Sequence, residues 1–119
     1  MSIESHRDLT AWQKAMDLVV EVYHLTEHFP KSEARRLRDQ LRRAVVSVPA
    51  NIAGGSARST SKDYAHFLTI SRGSLVETET YLLLAVRLRY LTEDQIAPTV
   101  SLGNEVGKML MVLRRKLVP

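Results

Sequence analysis

The sequence predicts an all-α fold, an antiparallel up-down-up-down four-helix bundle that forms a single domain over residues 1–119. Three observations predict it. Apolar residues recur at spacings of three and four along nearly the whole chain, the period that puts them on one face of a helix. No alternating apolar–polar run longer than a few residues exists, so half-buried strands have no signal. Proline, glycine and capping residues cut the pattern into four segments of about 20–30 residues with short connections, and consecutive helices so joined pack antiparallel.

The first helix is expected over residues 9–28, with Leu9, Trp12, Met16, Val19, Val22 and Tyr23 as its apolar face. Ser5 or Asp8 is placed to cap its start. Phe29-Pro30 ends it, because the residue before a proline is pushed out of the helical region. The second helix is expected over 32–57, with Ser32 as N-cap and Glu33 in the first turn. Its stripe is Leu37, Leu41, Ala44, Val45, Val48 and Ile52. Pro49 falls inside it, where a lost hydrogen bond and a clash with the preceding turn cost about 3 kcal/mol and favour a kink. Gly54-Gly55 is expected to weaken or close the helix. The run Val45–Ala50 has the β-branched content of a strand, but its neighbours keep helical phase.

Thr60 or Ser61 caps a third helix over 61–91, with Asp63 in its first turn. Its stripe is long, from Tyr64, Phe67 and Leu68 through Ser71, Leu75 and Thr78 to Leu82, Ala85 and Leu88. Gly73 interrupts it at about 1 kcal/mol relative to alanine, a cost expected to be returned by close approach of another helix. Ser74 and Glu77 have capping-box spacing, yet the apolar phase continues across them, so a single helix is expected. Thr92-Glu-Asp-Gln95 is a clearer capping box and opens a fourth helix over 93–117. Ile96, Val100, Gly103, Val106, Leu110, Leu113 and Leu117 supply its stripe, and Pro98 is read as lying in its first turn. Lys108, Arg114, Arg115 and Lys116 suit the negative end of its dipole.

The chain is 45% hydrophobic and only 6% aromatic, so its core is built of aliphatic residues. It has no cysteine, which excludes a disulfide framework and any thiolate ligand or nucleophile. No apolar run reaches the roughly 18 residues of a membrane span, and the first residues lack a signal-peptide core. A cytoplasmic protein with no membrane partner is expected. The net charge of +4 is unevenly spread: residues 1–30 carry five acids against two bases, and residues 31–60 carry seven bases against two acids. Such a basic segment suits nucleic acid, or pairs with the acids of the first helix within or between subunits.

Motifs for catalysis are weak. His24-Leu-Thr-Glu27-His28 matches the inverted zinc-protease pattern, but catalytic zinc needs a third protein ligand and an open position. No later acid has a distinctive context, so this is read as a solvated helix end. Gly54-Gly55-Ser56 lacks the preceding strand of a phosphate-cradling loop and is read as a helix terminus. Ser47, Asn51, Ser71 and Ser74 lie near apolar faces, where small polar residues let helices approach and bond locally. No cofactor, metal or catalytic residue is expected.

The arginines carry the functional signal. Arg35, Arg38 and Arg42 are spaced three and four apart and line one side of the second helix; Arg36 and Arg43 form a second line. Arg58 follows that helix, and Arg114, Arg115 and Lys116 close the fourth. Guanidinium groups make bidentate phosphate contacts, and each neutralised phosphate releases counterions and makes binding salt-dependent. The alternative is that these arginines pair with acids across a subunit seam. Composition leaves both open.

A set of residues gives the chain a family resemblance from about His6 to Leu91. It comprises Arg7-Asp8-Leu9 with Trp12 and Ala15, Phe29-Pro30 with Glu33, Gln40 through Ala44, and Ser47. It continues with Asn51-Ile52-Ala53, Gly55, Arg58, Ser61-Lys62-Asp63, Phe67, and Gly73-Ser74 with Glu77. The chain resembles the four-helix-bundle proteins encoded in intervening sequences of bacterial 23S rRNA genes, which are related to the accessory variability protein of diversity-generating retroelements. Gly54 stands where that family usually carries an acid. The resemblance implies a barrel-like homopentamer without enzymatic activity. It implies nucleic acid as partner, RNA (rRNA included) or DNA, and in the retroelement relatives a reverse transcriptase.

Overall fold

The computed structural model describes residue 6 and residues 9–31 and 34–119. Four helices follow one another: α1 (Thr10–Thr26), α2 (Arg35–Ser56), α3 (Ser61–Arg87) and α4 (Glu93–Leu117). The described residues contain no strand. Each helix packs against its neighbours in sequence, and α4 closes the square against α1. The directions alternate. Glu21 meets Thr99 and Lys14 meets Glu105, so α1 and α4 run antiparallel. Ser47 meets Ser74 while Gly55 lies under Tyr64, so α2 and α3 do too. The bundle is 45 Å long and about 22 Å across.

The core is a column of aliphatic side chains, among them Leu18, Val22, Leu41, Val45, Val48, Ile52, Leu68, Leu82, Val106 and Leu110, all essentially without exposure. It is what the stripes of α2, α3 and α4 lead one to expect. The α1 stripe differs in phase. Its buried face is Ala11, Ala15, Leu18, Val22 and Thr26, while Met16 and Tyr23 are exposed. The reason is that α1 is apolar over more than half its circumference. The small residues let it sit close to its neighbours, and a second apolar face is left outside.

Packing between α2 and α3 is the closest in the molecule, and its chemistry explains the small polar residues of the seam. Ser71 Oγ donates to the Val48 carbonyl at 2.9 Å. Ser74 Oγ lies 2.9 Å from Ser47 Oγ, which also accepts from Asn51 Nδ2 at 2.8 Å. Each hydroxyl is thereby satisfied where burial would otherwise cost 1–3 kcal/mol or so. Gly55 is needed at the lower end of this seam: a Cβ there would meet Phe67 Cβ at 2.8 Å and the Tyr64 ring at 2.9 Å. Helix α2 therefore runs through Gly54 and Gly55 to Ser56 instead of closing at them. Pro49 is buried within the same helix and leaves the Val45 carbonyl without its helical donor.

The helix ends show where local chemistry decides. Thr60 accepts from the Asp63 amide at 3.1 Å, and Thr92 and Gln95 form a complete capping box. Ser74 and Glu77 form no second box, because α3 is continuous and Ser74 is occupied in the seam. The expected caps Ser5, Asp8 and Ser32, and Glu33 expected in the first turn of the second helix, lie outside the described residues; α2 begins at Arg35 with Ala34 at its N-cap. Helix α3 ends at Arg87, short of residue 91, since Arg89 takes a left-handed conformation (φ 64°). The Tyr90 amide then bonds the Ala85 carbonyl and the Arg89 amide the Val86 carbonyl, the paired bonds that close a helix in a Schellman turn. Pro98 is in the second turn of α4, not the first, so the exposed Asp94 carbonyl loses its donor to solvent. Gly73 faces open space, with nothing within 4 Å of a built Cβ, so no helix of the same chain approaches it.

Candidate nucleic-acid interface

Antiparallel packing sorts the nine predicted contact residues into two groups. Arg35, Arg36, Arg38, Arg42 and Arg43 occupy the first turns of α2, at the end of the bundle where α1 and α3 finish. Arg58, Arg114, Arg115 and Lys116 lie at the opposite end, where α2 and α4 finish. They do not form one surface: Arg43 and Arg58 are fifteen positions apart, about 22 Å at the helical rise.

At the upper end the arginines are not equivalent. Arg35, Arg36 and Arg43 are exposed and have no carboxylate partner among the described residues. Arg38 is partly covered, with its Nε 3.7 Å from Asp39. Arg42 is turned inward: its Nε donates to Thr26 Oγ1 at 2.8 Å, and its guanidinium lies 4.4 Å from the Tyr23 ring centroid. It staples α2 to α1 through a hydrogen bond and a cation–π contact. Helical spacing alone put Arg42 in line with Arg35 and Arg38; the neighbouring Thr26 and Tyr23 take it out of that line.

No acidic residue stands in the first turn of α2, which instead holds Arg35, Arg36 and Arg38. Cations at a helix N-terminus oppose the macrodipole by roughly 0.3–1 kcal/mol each. The first backbone amides of a helix and guanidinium groups are both donors, a combination that suits an anion. Arg87 and Arg89 join this end from the finish of α3. Sequence reasoning missed them because they fall in the region expected to continue as helix. At the lower end Arg58 lies 4.4 Å over Phe67, Arg114 Nε donates to Thr69 at 3.1 Å, and Arg115 and Lys116 are free of carboxylates among the described residues. Lys62, also exposed, adds to it.

His24, Glu27 and His28 are exposed, and among the described residues no three His, Cys, Asp or Glu side chains group to hold a metal. A groove of about 330 Å³ between α3 and α4 has walls of Val76, Val100, Gly103 and Met111. A second, of about 380 Å³, runs between the start of α1 and the end of α4 over Leu9, Val112 and Leu113. Both have apolar floors. No helix is long and apolar enough to cross a membrane.

These features define a class, a small four-helix bundle with clusters of basic side chains at its two ends. Within that class the assignment is specific: the family model of the 23S rRNA-intervening sequence protein matches residues 7–112. The chain belongs to that family. Among solved structures it is similar to a protein of unknown function from the S23 ribosomal protein family of Bacteroides thetaiotaomicron. The two share 23% identity at a TM-score of 0.81, over 89% of this chain and 99% of that one. At that identity the likeness concerns the fold. No match was found among curated proteins.

Proposed function

We propose that the protein is a non-enzymatic, self-assembling four-helix bundle that binds nucleic acid through its arginine-rich surface. The observation that carries this reading is the start of α2, where three arginines and a helix N-terminus converge without an acid in the first turn. A stable fold tolerates that arrangement better with phosphate oxygens against it. Family membership supports RNA, rRNA included, as the nucleic acid, with DNA as the competitor to compare.

The test uses purified full-length protein and a structured RNA hairpin. Affinity should fall steeply with salt, log K decreasing by roughly 0.7–0.9 for each phosphate contact per tenfold rise in salt concentration. A variant carrying Arg35→Gln, Arg36→Gln and Arg43→Gln should bind more weakly and with a shallower salt slope, at unchanged helicity. An affinity equal at low and moderate salt would sink the reading.

A second reading, that the arginines pair across subunits, is favoured by the apolar band beside them. Met16, Val20 and Tyr23 on α1 are exposed, as is Val46 on α2, one helical turn beyond the Arg42 that lies against Tyr23, and residues 44–53 of α2 contain no charged side chain. An exposed apolar band of this kind marks a contact surface. If the arginines serve it, the same triple variant lowers the mass seen by light scattering and leaves RNA affinity where it was.

A further inference from the structure

Taken along its 45 Å axis, the bundle has three electrostatic zones. The upper end comprises the loop after α1, the first turns of α2, the finish of α3 and the start of α4. Its described residues carry eight basic side chains against Glu27, Asp39, Glu93 and Asp94, a net of +4. Among the described residues the lower end holds Arg58, Lys62, Arg114, Arg115 and Lys116 against Asp63, again a net of +4. Between them α1, α3 and α4 carry a belt with the opposite sign, while α2 is uncharged over residues 44–53. The belt contains Asp17, Glu21, Glu77, Glu79 and Glu105 against Lys14, Arg72 and Lys108, a net of −2, and Lys14 is already paired with Glu105.

We infer that the protein is a two-ended nucleic-acid bridge, in which each end holds a separate phosphate backbone and the belt keeps them apart. The inference rests on the nucleic-acid reading above and specifies its geometry. Along α2 the two basic clusters are separated by about 22 Å, more than twice the Debye length of about 8 Å at physiological ionic strength. They therefore act as independent sites. A single strand laid along α1, α3 or α4 would have to cross the belt carboxylates, and one laid along α2 would cross an uncharged, apolar stretch that offers its phosphates no partner. Two segments, one against each end, avoid both stretches and use the two basic clusters. The sides of the bundle, which carry the apolar band, stay available for self-assembly, so a ring of copies would present two basic rims.

The experiment is a bridging assay with the full chain. One RNA hairpin is fixed to beads through biotin, and a second carries a fluorophore. Capture of the second hairpin by protein bound to the first reports bridging, and anisotropy of the fluorescent hairpin alone reports simple binding. Two variants each neutralise one end at exposed positions: Arg35→Gln with Arg36→Gln and Arg43→Gln, and Arg115→Gln with Lys116→Gln and Lys62→Gln. Each should still bind a single hairpin, with an affinity lowered by about tenfold or less, while capture of the second hairpin is lost. Circular dichroism and light scattering should match the parent.

Bridging that survives loss of either end overturns the inference, because one cluster repeated around an assembly would then suffice. Complete loss of single-hairpin binding on neutralising either end also overturns it, since that marks one continuous surface. Absence of hairpin binding by the parent at low salt removes the reading on which the inference rests, a result distinct from both.

Discussion

Two glycines with the same backbone conformation have opposite meanings here. Gly55 sits where a methyl group would fall 2.8 Å from Phe67 Cβ and 2.9 Å from the Tyr64 ring. Neither atom is the loose end of a flexible chain, so Gly55→Ala should lower stability by about 1–3 kcal/mol through overpacking. Gly73 faces open space, and Gly73→Ala should raise stability by about 1 kcal/mol through helix propensity alone. Urea unfolding followed by circular dichroism checks both, as shifts of the midpoint in opposite directions. Tyr64 adds a titrating probe of the same corner. Its hydroxyl is buried without a partner among the described residues, and burial raises its pKa above the ordinary 10.0. The unfolded chain therefore loses this proton first. The contribution of Tyr64 is intact below pH 10 or so and is lost as pH rises through the higher folded-state value. Stability measured from pH 9 to 11.5 or thereabouts should fall more steeply in the parent than in Tyr64→Phe.

At the level of elements, sequence periodicity was a reliable guide wherever one face of a helix is apolar and the other is not. That holds for α2, α3 and α4, whose stripes point into the core, except that Leu88, expected in the α3 stripe, is the cap residue past the helix end and is 47% exposed. It misjudged α1 because Met16, Val20 and Tyr23 continue the apolar surface past the core face, and periodicity cannot tell which of two adjoining stripes is buried. The candidate site was legible in composition and only half legible in geometry. Arginine spacing on α2 identifies the cluster, but the turning of Arg42 onto Thr26 and Tyr23 depends on a neighbouring helix. The separation of the clusters onto two ends depends on the alternation of helix direction. The early end of α3 was hidden for another reason, as no glycine marks it. Arg89 holds the left-handed turn at φ 64°, a conformation costing an L-residue roughly 1–2 kcal/mol. Arg89→Gly should therefore stabilise the protein by somewhat less than that, about 0.5–1 kcal/mol once glycine's greater unfolded-state freedom is counted. Arg89→Ala, which keeps the Cβ, should give no comparable gain in the thermal midpoint.

At the level of the whole molecule, charge and apolar surface are divided between different parts of the bundle. The ends carry the arginines, and the α1–α2 side carries an apolar band with Val20 53% exposed and Val46 42% exposed. A monomer gains nothing by keeping such a band in water, at about 25 cal/mol for each Å² that could be covered. Covering it with a second copy also leaves the ends unobstructed, so assembly and nucleic-acid binding need not compete. Val20→Glu and Val46→Glu place carboxylates in the middle of the band. Both side chains are exposed in the single chain, so the variants should keep their helicity, and their urea midpoint should fall only by the concentration-dependent stabilisation that assembly gives the parent. An unpaired charge buried at an interface is far less tolerable, so the double variant should run at the 13.5 kDa of one chain in light scattering while the parent runs as a larger species. Binding of a single RNA hairpin should persist, since no residue of either basic end is altered. Bridging should also persist in the monomer if the two ends belong to one bundle, because the connection between the two nucleic acids is then the length of the helices themselves.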